Sequence, residues 1–383
     1  MKNKKIIIGI LIIFAIIITL SAISNVSAID LVKIEDVNVD SEKTVEIDNT
    51  NAPKFVSAPK TYSKSAKYVK TKGFEIKRNI INTKVGKKYT FITKYFLPMT
   101  WKDGGKNGNT EYWYNCQSIV VDGKYIYIYT SAGYGSNRGF IVRYDTEILD
   151  KYIKGKGINK LRKLGDTIEK RKPLSKEQKK IMKGIKIGKK FIGGHGQSLK
   201  YNPKTKSLWM WQDNNHNSSD LKLMKISTKT LKPYEVYKFK VKLNGKYLKQ
   251  FNNLAFDEDG NFYTDKTIKN NKTSSGSSYI FTGNIVNGTL QMKLSSIIHN
   301  RPGTHAQSLA VNNKNNRLYL VSDGVIYSVP ISKLRDSSLK MDDFEYNVFS
   351  TKREFEGISF DKDGEAYLLI LRGTEILKSV GLN

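Results

Sequence analysis

The phrase His195-Gly-Gln-Ser-Leu199 recurs in varied form along the chain. The other copies are Asn115-Cys-Gln-Ser-Ile119, Gln250-Phe-Asn-Asn-Leu254, His305-Ala-Gln-Ser-Leu309 and Glu354-Phe-Glu-Gly-Ile358. Their starts lie 80, 55, 55 and 49 residues apart. A period near 50 with several short strands per repeat is typical of radial β architectures, because one small sheet buries its faces only against neighbouring copies. The sequence therefore predicts an all-β fold, a five-bladed β-propeller, with units 1 to 5 in chain order.

The strand pattern inside the units sets the limits of this domain. Strand-like segments alternate with turns such as Asp257-Glu-Asp-Gly260 and Asp361-Lys-Asp-Gly364. Neither turn is followed by the spaced acidic ligands of a calcium-binding loop. Unit 5 offers only three strand segments before the chain ends. Tyr89–Phe96 alternates like a strand, so we predict that it closes the ring inside a propeller domain spanning 86–383.

The N-terminus has the pattern of an export signal. Met1-Lys-Asn-Lys-Lys5 precedes an apolar run, and Val26 and Ala28 occupy the −3 and −1 positions of a cleavage site. We predict a signal peptide over 1–28 and a secreted, extracellular protein; wall association and a retained membrane anchor are the alternatives. The stretch 29–85 lacks hydrophobic periodicity and changes from acidic to basic, which predicts a flexible spacer or pro-region.

Positive charge dominates the chain and is concentrated in one insertion. There are 65 Lys and Arg against 35 Asp and Glu, a net charge of +30. Residues 151–190 of unit 1 hold sixteen basic and three acidic residues, with a helical pattern at Ser175–Lys183. This segment is either a solvated surface helix or a docking patch for anionic surfaces. The docking residues would be Lys151, Lys154, Lys163, Lys170, Arg171, Lys172, Lys179, Lys180, Lys183, Lys186, Lys189 and Lys190.

The repeated phrases predict two rings of polar side chains, since the first strand of each blade lines a propeller's central channel. The first ring would contain Asn115, His195, Gln250, His305 and Glu354. The second would contain Gln117, Gln197, Asn252, Gln307 and Glu356. Two interpretations remain open: the polar groups hydrogen-bond one another and water, or His195, His305, Glu354 and Glu356 perform acid–base or metal chemistry.

Other side chains carry weaker indications. The lone Cys116 cannot form an internal disulfide and is expected to be buried. Trp209 and Trp211 share a strand face, which predicts packing between blades, whereas Tyr112–Tyr114 could stack on a saccharide. The sequence contains none of the GxSxG, HExxH, CxxC, Walker or GxGxxG motifs of common enzyme classes. It therefore predicts no cofactor and no dedicated metal site.

The two His phrases, together with Glu354-Phe-Glu-Gly-Ile-Ser359, resemble the helveticin J family of large, heat-labile bacteriocins. The resemblance covers roughly Tyr89 to Leu382. It implies a secreted antibacterial protein that acts at the envelope of related bacteria, and it brings no catalytic residues. The signal peptide followed by a long spacer and the basic insertion at 151–190 differ from what we expect of that family.

These observations lead to one main functional expectation and two alternatives. We expect a monomeric, bacteriocin-like protein that binds teichoic acid or anionic lipid of a bacterial envelope, without specific nucleic-acid binding. One alternative is a secreted propeller hydrolase or lyase that uses the channel His and Glu residues. The other is a non-toxic wall-binding adhesion module. The sequence favours binding over catalysis and leaves enzymatic activity open.

Overall fold

The computed structural model describes residues 31–32, 38–39, 43–47, 55–57, 77–87, 89–98, 115–131, 137–214, 217–251, 253–270, 273–286, 289–299, 301, 303, 305–371 and 373–380. The predicted signal peptide at 1–28 lies outside these residues, and so do Asn252 and Tyr112–Tyr114. The described chain is mostly β, as predicted. Its first six strands are β1 (Leu31–Val32), β2 (Asn38–Val39), β3 (Lys43–Ile47), β4 (Phe55–Ser57), β5 (Ile80–Gly86) and β6 (Thr90–Phe96).

Units 1 and 2 are antiparallel meanders. Unit 1 consists of β7 (Asn115–Asp122), β8 (Tyr125–Ser131), β9 (Arg138–Asp145), β10 (Ile185–Ile187) and β11 (Lys190–Ile192), the last two sharing the fourth-strand position beside β9. Its insertion carries α1 (Thr146–Tyr152), a 3₁₀ turn (Gly155–Gly157), α2 (Lys160–Glu169) and α3 (Lys176–Met182). Unit 2 consists of β12 (Lys200–Asn202), β13 (Ser207–Trp211), β14 (Leu221–Ile226) and β15 (Pro233–Leu243), with β16 (Lys246–Tyr247) at its edge.

Units 3 to 5 repeat the arrangement. Unit 3 consists of β17 (Asn253–Phe256), β18 (Phe262–Asn270), β19 (Thr273–Val286) and β20 (Thr289–His299). Unit 4 consists of β21 (Ser308–Asn312), β22 (Arg317–Ser322), β23 (Val325–Pro330) and β24 (Glu345–Phe349), with α4 (Ile331–Arg335) and a 3₁₀ turn (Met341–Asp343) before its last strand. Unit 5 consists of β25 (Phe355–Phe360), β26 (Ala366–Ile370) and β27 (Glu375–Val380).

The five units close on one another. The first strands contact each other in cyclic order, β7 with β12, β12 with β17, β17 with β21, β21 with β25, and β25 with β7. Strand β6 pairs antiparallel with β27 as the fourth strand of unit 5, so the predicted closing role of Tyr89–Phe96 is confirmed. We call the end of the ring where the first strands begin the front, and the opposite end the back.

Aromatic and serine side chains join neighbouring units. Trp209 and Trp211 are buried, and their rings lie 6.0 Å from Phe256 and 5.3 Å from Phe251 of the adjoining unit 3, which confirms the predicted packing role. Cys116 is buried, as predicted. The serine of the first phrase, Ser118, donates a hydrogen bond of 2.9 Å to the Gly196 carbonyl of unit 2. The repeated phrase thus contributes directly to contacts between units.

The basic insertion is packed between units 1 and 5. Its apolar residues Leu149, Ile158, Leu161, Leu164 and Ile181 are buried in a core with side chains of both units. Arg162 is 2% exposed, donates to the Gly373 carbonyl at 2.9 Å, and lies over the Phe96 ring at 4.6 Å. The predicted helix at Ser175–Lys183 is confirmed as α3, which has a capping box between Ser175 and Gln178. The insertion therefore reinforces the junction where the ring closes.

The segment before Tyr89 differs from the predicted flexible spacer, because its described residues form strands at the edges of four units. Strands β1, β2 with β3, and β4 pair in parallel with the outer strands β11, β15 and β20 of units 1, 2 and 3. Strand β5 pairs antiparallel with β24 of unit 4. An open edge offers main-chain hydrogen bonds to any extended segment, so this pairing requires no hydrophobic periodicity. We call β1 to β5 the edge belt.

We expect the edge belt to protect the outer strand of unit 2 from solvent exchange. Proline has no N–H to donate to a ladder, so combining Thr44→Pro with Val45→Pro removes the pairing of β3 with β15. Backbone amides of 239–243 should then exchange faster in hydrogen–deuterium exchange mass spectrometry. A double variant with Thr44→Ser and Val45→Ile keeps both N–H groups and serves as control. Unchanged exchange in the proline variant would contradict this role.

The Asp-rich turns are backbone caps. The Asp257 Oδ1 atom accepts from the backbone N of Asp259 at 3.1 Å and of Asn261 at 2.9 Å. Asp361 accepts in the same way from Asp363 and Glu365. These Asx turns stabilise the tight connections between the first and second strands, because each carboxylate accepts hydrogen bonds from backbone N–H groups of its turn. Their sequence pattern is thus explained by local geometry.

Candidate functional site

The first predicted ring lies at the front of the barrel of first strands, mostly in the loops that lead into them. His195 and His305 are exposed there, Asn115 begins β7, and Glu354 precedes β25 half-buried. Gln250 is buried and has a positive φ of 48°. The prediction that these residues share one end of the ring agrees with the described strands, but most are loop residues and do not lie within strands.

The second predicted ring is an interior layer. Gln117, Gln197, Gln307 and Glu356 are all buried, and β-bulges fall at Gln117 and Glu356. The Nε2 of Gln197 in unit 2 donates to the Oε1 of Gln307 in unit 4 at 2.6 Å. Units 2 and 4 are not neighbours in the cyclic order, so this hydrogen bond crosses the axis. This hydrogen bond is of the kind that the structural interpretation expects, whereas the Oε1 of Gln117 has no hydrogen-bond partner among the described residues.

A buried lysine fills the axis of the ring in a second layer, behind the layer that contains Gln197. Lys200 of β12 is 5% exposed, and its Nζ donates to the Ser308 Oγ of unit 4 and the Ile358 carbonyl of unit 5, both at 3.1 Å. The corresponding positions of the other units hold the smaller residues Val120, Ala255, Ala310 and Ser359. Burial lowers the pKa of the Lys200 ammonium from 10.5 to about 7. One long side chain thus fills the space that four shorter ones leave.

His305 is held by a carboxylate that the sequence analysis did not identify. Its Nδ1 lies 3.3 Å from the Oδ2 of Asp323, which follows β22. The Asp323 side chain is 1% exposed, whereas that of His305 is 67% exposed. A buried carboxylate on one nitrogen of an exposed imidazole is an arrangement that can orient a general base.

Unit 2 has a related arrangement around His195. Asp213 is buried; its Oδ1 accepts from the backbone N of Gly196 at 3.1 Å, and its backbone forms a bridge with Gly194. Asp213 therefore lies beside both neighbours of His195. In the sequence each His of the two HxQS phrases is followed by an Asp eighteen residues later, at 213 and 323. This spacing is the signal that could have identified both carboxylates.

The four residues expected to act together do not form a metal site. Among the residues that the structure describes, no group of three or more His, Cys, Asp or Glu side chains is positioned to hold a metal ion. The carboxylate contact of His305 comes from Asp323, and Glu356 lies in the buried layer. The metal interpretation of His195, His305, Glu354 and Glu356 therefore has no support in the described chain, and their acid–base role stays a prediction.

The docking residues predicted in the insertion lie at the surface. All twelve named basic residues are exposed except Lys190, which is half-buried. Lys170 is paired with Asp166 at 2.7 Å, one turn away on α2. No helix in the described ranges is long and apolar enough to cross a membrane.

Comparisons with known proteins give a fold likeness only to distant structures. No family model and no curated protein match this chain. It is similar to a gluconolactonase from Xanthomonas campestris, with 8% identity over 83% of this chain and 98% of that chain and a TM-score of 0.40. A glucose dehydrogenase shares 11% identity over 81% and 98% of the two chains, also with a TM-score of 0.40. A chain of a nidogen/laminin complex shares 9% over 76% and 85%, with a TM-score of 0.37.

Proposed function

We propose that this chain is a secreted five-bladed β-propeller with a proton-transfer site at its front, and that it acts as a hydrolase or lyase. The observation that carries the proposal is the pair of His305 and Asp323, an exposed imidazole on a buried carboxylate 3.3 Å away. The cyclic contacts of the five first strands support the blade count. The predicted signal peptide supports export.

In this proposal the two side chains have separate roles. Asp323 accepts a hydrogen bond from the Nδ1–H of His305, which selects the tautomer with an unprotonated Nε2. The His305 side chain is 67% exposed, and in this proposal its Nε2 takes a proton from a substrate or from an attacking water. The imidazolium that forms is stabilised by the buried carboxylate. Gln197 and Gln307 close the axis behind the site, so substrate reaches it from the front.

The charge of the chain indicates the substrate class. A net charge of +30 attracts polyanions and raises their local concentration at low ionic strength. We therefore propose an anionic polymer as substrate.

Variants of the pair test the proposal. The chain is incubated with a panel of esters, lactones, glycosides and acidic polysaccharides, and turnover is measured from pH 5 to 9. His305→Asn should lower kcat/KM about 10²-fold because it removes the base. Asp323→Asn should lower it too and change the pH profile. His299→Asn is the control, since His299 contacts Ser277 of its own sheet at 2.7 Å and lies outside the pair. Turnover equal to wild type in both site variants would refute the assignment.

A second candidate is the bacteriocin-like envelope-binding protein, favoured by the exposed basic side chains of the insertion. The resemblance to the helveticin J family stays a prediction and supports this candidate together with net charge. Arg162 and the buried apolar residues of the insertion hold the charged surface firmly against the ring. A wall-binding adhesion module would use the same surface without killing.

Adsorption to cells separates these candidates. Replacing Lys179, Lys180, Lys183 and Lys186 by glutamine removes four positive charges without touching the buried side of the insertion. We expect adsorption to Gram-positive cells at low salt to fall at least tenfold, because each exposed charge contributes to long-range attraction. Cell viability is scored in parallel: killing that falls with adsorption supports the bacteriocin-like activity, and adsorption without killing supports adhesion. Replacing Lys204, Lys229, Lys314 and Lys352 on other units is the control; an equal fall in both variants contradicts a role specific to the insertion.

A further inference from the structure

A polar groove lies at the back of the ring, away from the histidines. It has a volume of about 370 Å³ and lies between β18, β19 and β20 of unit 3 and α4 of unit 4. The lining residues that matter here are Asn261, Asn284, Gln291, Met292, Lys293 and Arg335. Asn261 follows the end of β17 and Arg335 follows the end of β23, and both of those strands run from front to back. The groove and the front site are therefore separate.

The guanidinium of Arg335 forms one wall of the groove and is held in place by hydrogen bonds. Arg335 donates from Nη2 to the Oδ2 of Asp257 at 2.5 Å and from Nε to the hydroxyl of Tyr263 at 3.2 Å. The Tyr263 hydroxyl donates to the same carboxylate oxygen at 2.9 Å. Asp257 is 4% exposed and is further bound by backbone N–H groups of its turn. These contacts hold one edge of the guanidinium and leave its other nitrogen, Nη1, for an added ligand.

A second cation makes the groove positive. The Nζ of Lys293 donates to the Arg335 carbonyl at 2.5 Å, and none of the described carboxylates forms an ion pair with it. The carboxylate of Asp257 compensates the charge of Arg335 but not that of Lys293. One unit of positive charge therefore remains at this wall. A ligand that carries one negative charge would neutralise it.

The opposite wall offers neutral groups that match hydroxyls. Asn284 and Gln291 each present an amide, which both donates and accepts hydrogen bonds, whereas the Nδ2 of Asn261 already donates to Asp257 at 3.0 Å. The Oδ1 of Asn284 is buried and has no hydrogen-bond partner among the described residues. A buried acceptor without a donor is unfavourable, so a ligand hydroxyl that reaches it on binding would add a favourable hydrogen bond. Met292 also lines the groove, but its side chain packs against the apolar core of units 2 and 3.

We infer that this groove binds a sugar-sized acid, a hydroxylated ring with one negative charge. The cations at 293 and 335 pair with the acid group, and the amides of Asn284 and Gln291 bind ring hydroxyls. The same surface chemistry accepts a carboxylate or a phosphate ester as the anionic group. The inference does not depend on the proton-transfer site at the front.

Titration of the full chain with four small probes tests the inference. Glucuronate and glucose 6-phosphate carry both features, glucose lacks the charge, and acetate lacks the hydroxyls. We expect glucuronate or glucose 6-phosphate to bind at least tenfold more tightly than glucose and acetate in isothermal titration calorimetry. Asn284→Leu and Lys293→Met should each weaken that binding at least fivefold, whereas Lys314→Met, at an exposed turn of unit 4, should leave it unchanged.

The outcomes separate the possibilities. Preference for glucuronate identifies a carboxylate, and preference for the phosphate identifies a phosphate ester; both support the inference. Equal binding of acetate and the sugar acids, or binding insensitive to Asn284→Leu and Lys293→Met, overturns it. Absence of heat with all four probes at 10 mM ligand, about ten times the concentration at which a weak millimolar site would be half-filled, also overturns it. Thermal unfolding of each variant is recorded first, so that a loss of binding is interpreted only for variants that are folded.

Discussion

Arg353→Met is expected to lower the free energy of unfolding by about 3–5 kcal/mol, because it leaves a buried carboxylate without its cation. Arg353 is 9% exposed and donates from Nη1 to the Oε1 of Glu375 at 2.5 Å. Glu375 is fully buried and also accepts from Asn79 at 3.0 Å and Thr93 at 2.8 Å. The carboxylate therefore joins β27 to β6, which completes unit 5, and to the residue that precedes β5. Chemical denaturation at pH 7 measures the loss.

A double variant distinguishes the lost ion pair from lost packing. Adding Glu375→Gln to Arg353→Met removes the stranded charge, so the double variant should recover a large part of the loss. Lys352→Met, an exposed neighbour, is the control and should change stability by less than about 0.5 kcal/mol. A loss below about 1 kcal/mol for Arg353→Met would show that this pair contributes little to ring closure.

Lys200 should make the protein more stable as the pH rises from 7 to 9. Burial lowers the pKa of its ammonium to about 7, while the unfolded chain titrates near 10.5. Between these values the unfolded state binds more protons, so raising the pH favours folding. The contribution over pH 7 to 9 is roughly 2–3 kcal/mol. Below pH 7 the ammonium is charged in both states, and its destabilising effect is constant.

Lys200→Met removes this pH dependence. The free energy of unfolding of wild type minus that of the variant should rise by roughly 2–3 kcal/mol from pH 7 to pH 9. Measurements stop at pH 9 because buried tyrosines such as Tyr129, whose pKa burial raises, add their own dependence above pH 10. Lys204→Met changes an exposed lysine of the same unit and should run parallel to wild type. Parallel curves for Lys200→Met as well would show that the buried amine titrates normally.

Much of the fold could be predicted because it depends on local patterns repeated five times. The phrase marks the approach to each first strand, and alternation at Tyr89–Phe96 correctly predicts the closing strand. The edge belt could not be predicted in the same way. Its strands β1 to β4 pair through main-chain groups with outer strands far away in the sequence, and main-chain pairing leaves no hydrophobic period to detect.

The candidate site was predictable in part. His195 and His305 stand out because two phrases begin with them, and the structure exposes both at the front. Asp323 reaches His305 only because β22 runs antiparallel to β21, which places the end of one strand beside the start of the other. Lys200 looks in the sequence like any lysine of a basic protein. Only the closed ring, with small residues at corresponding positions, buries it on the axis.

The sequence by itself determined the repeat, the mostly β class, the closing strand and the exposed basic face of the insertion, because each depends on periodicity or composition along neighbouring residues. Only the tertiary structure decided which of the polar residues are buried and which are exposed. Gln197 and Gln307 close the axis, whereas His305 meets a buried carboxylate and keeps one face in solvent. The hydrogen bond between Gln197 and Gln307 joins units that face each other across the ring, 110 positions apart in the sequence, and no local pattern records that relation. The contact of His305 with Asp323 depends on the antiparallel pairing of β21 with β22 inside one unit.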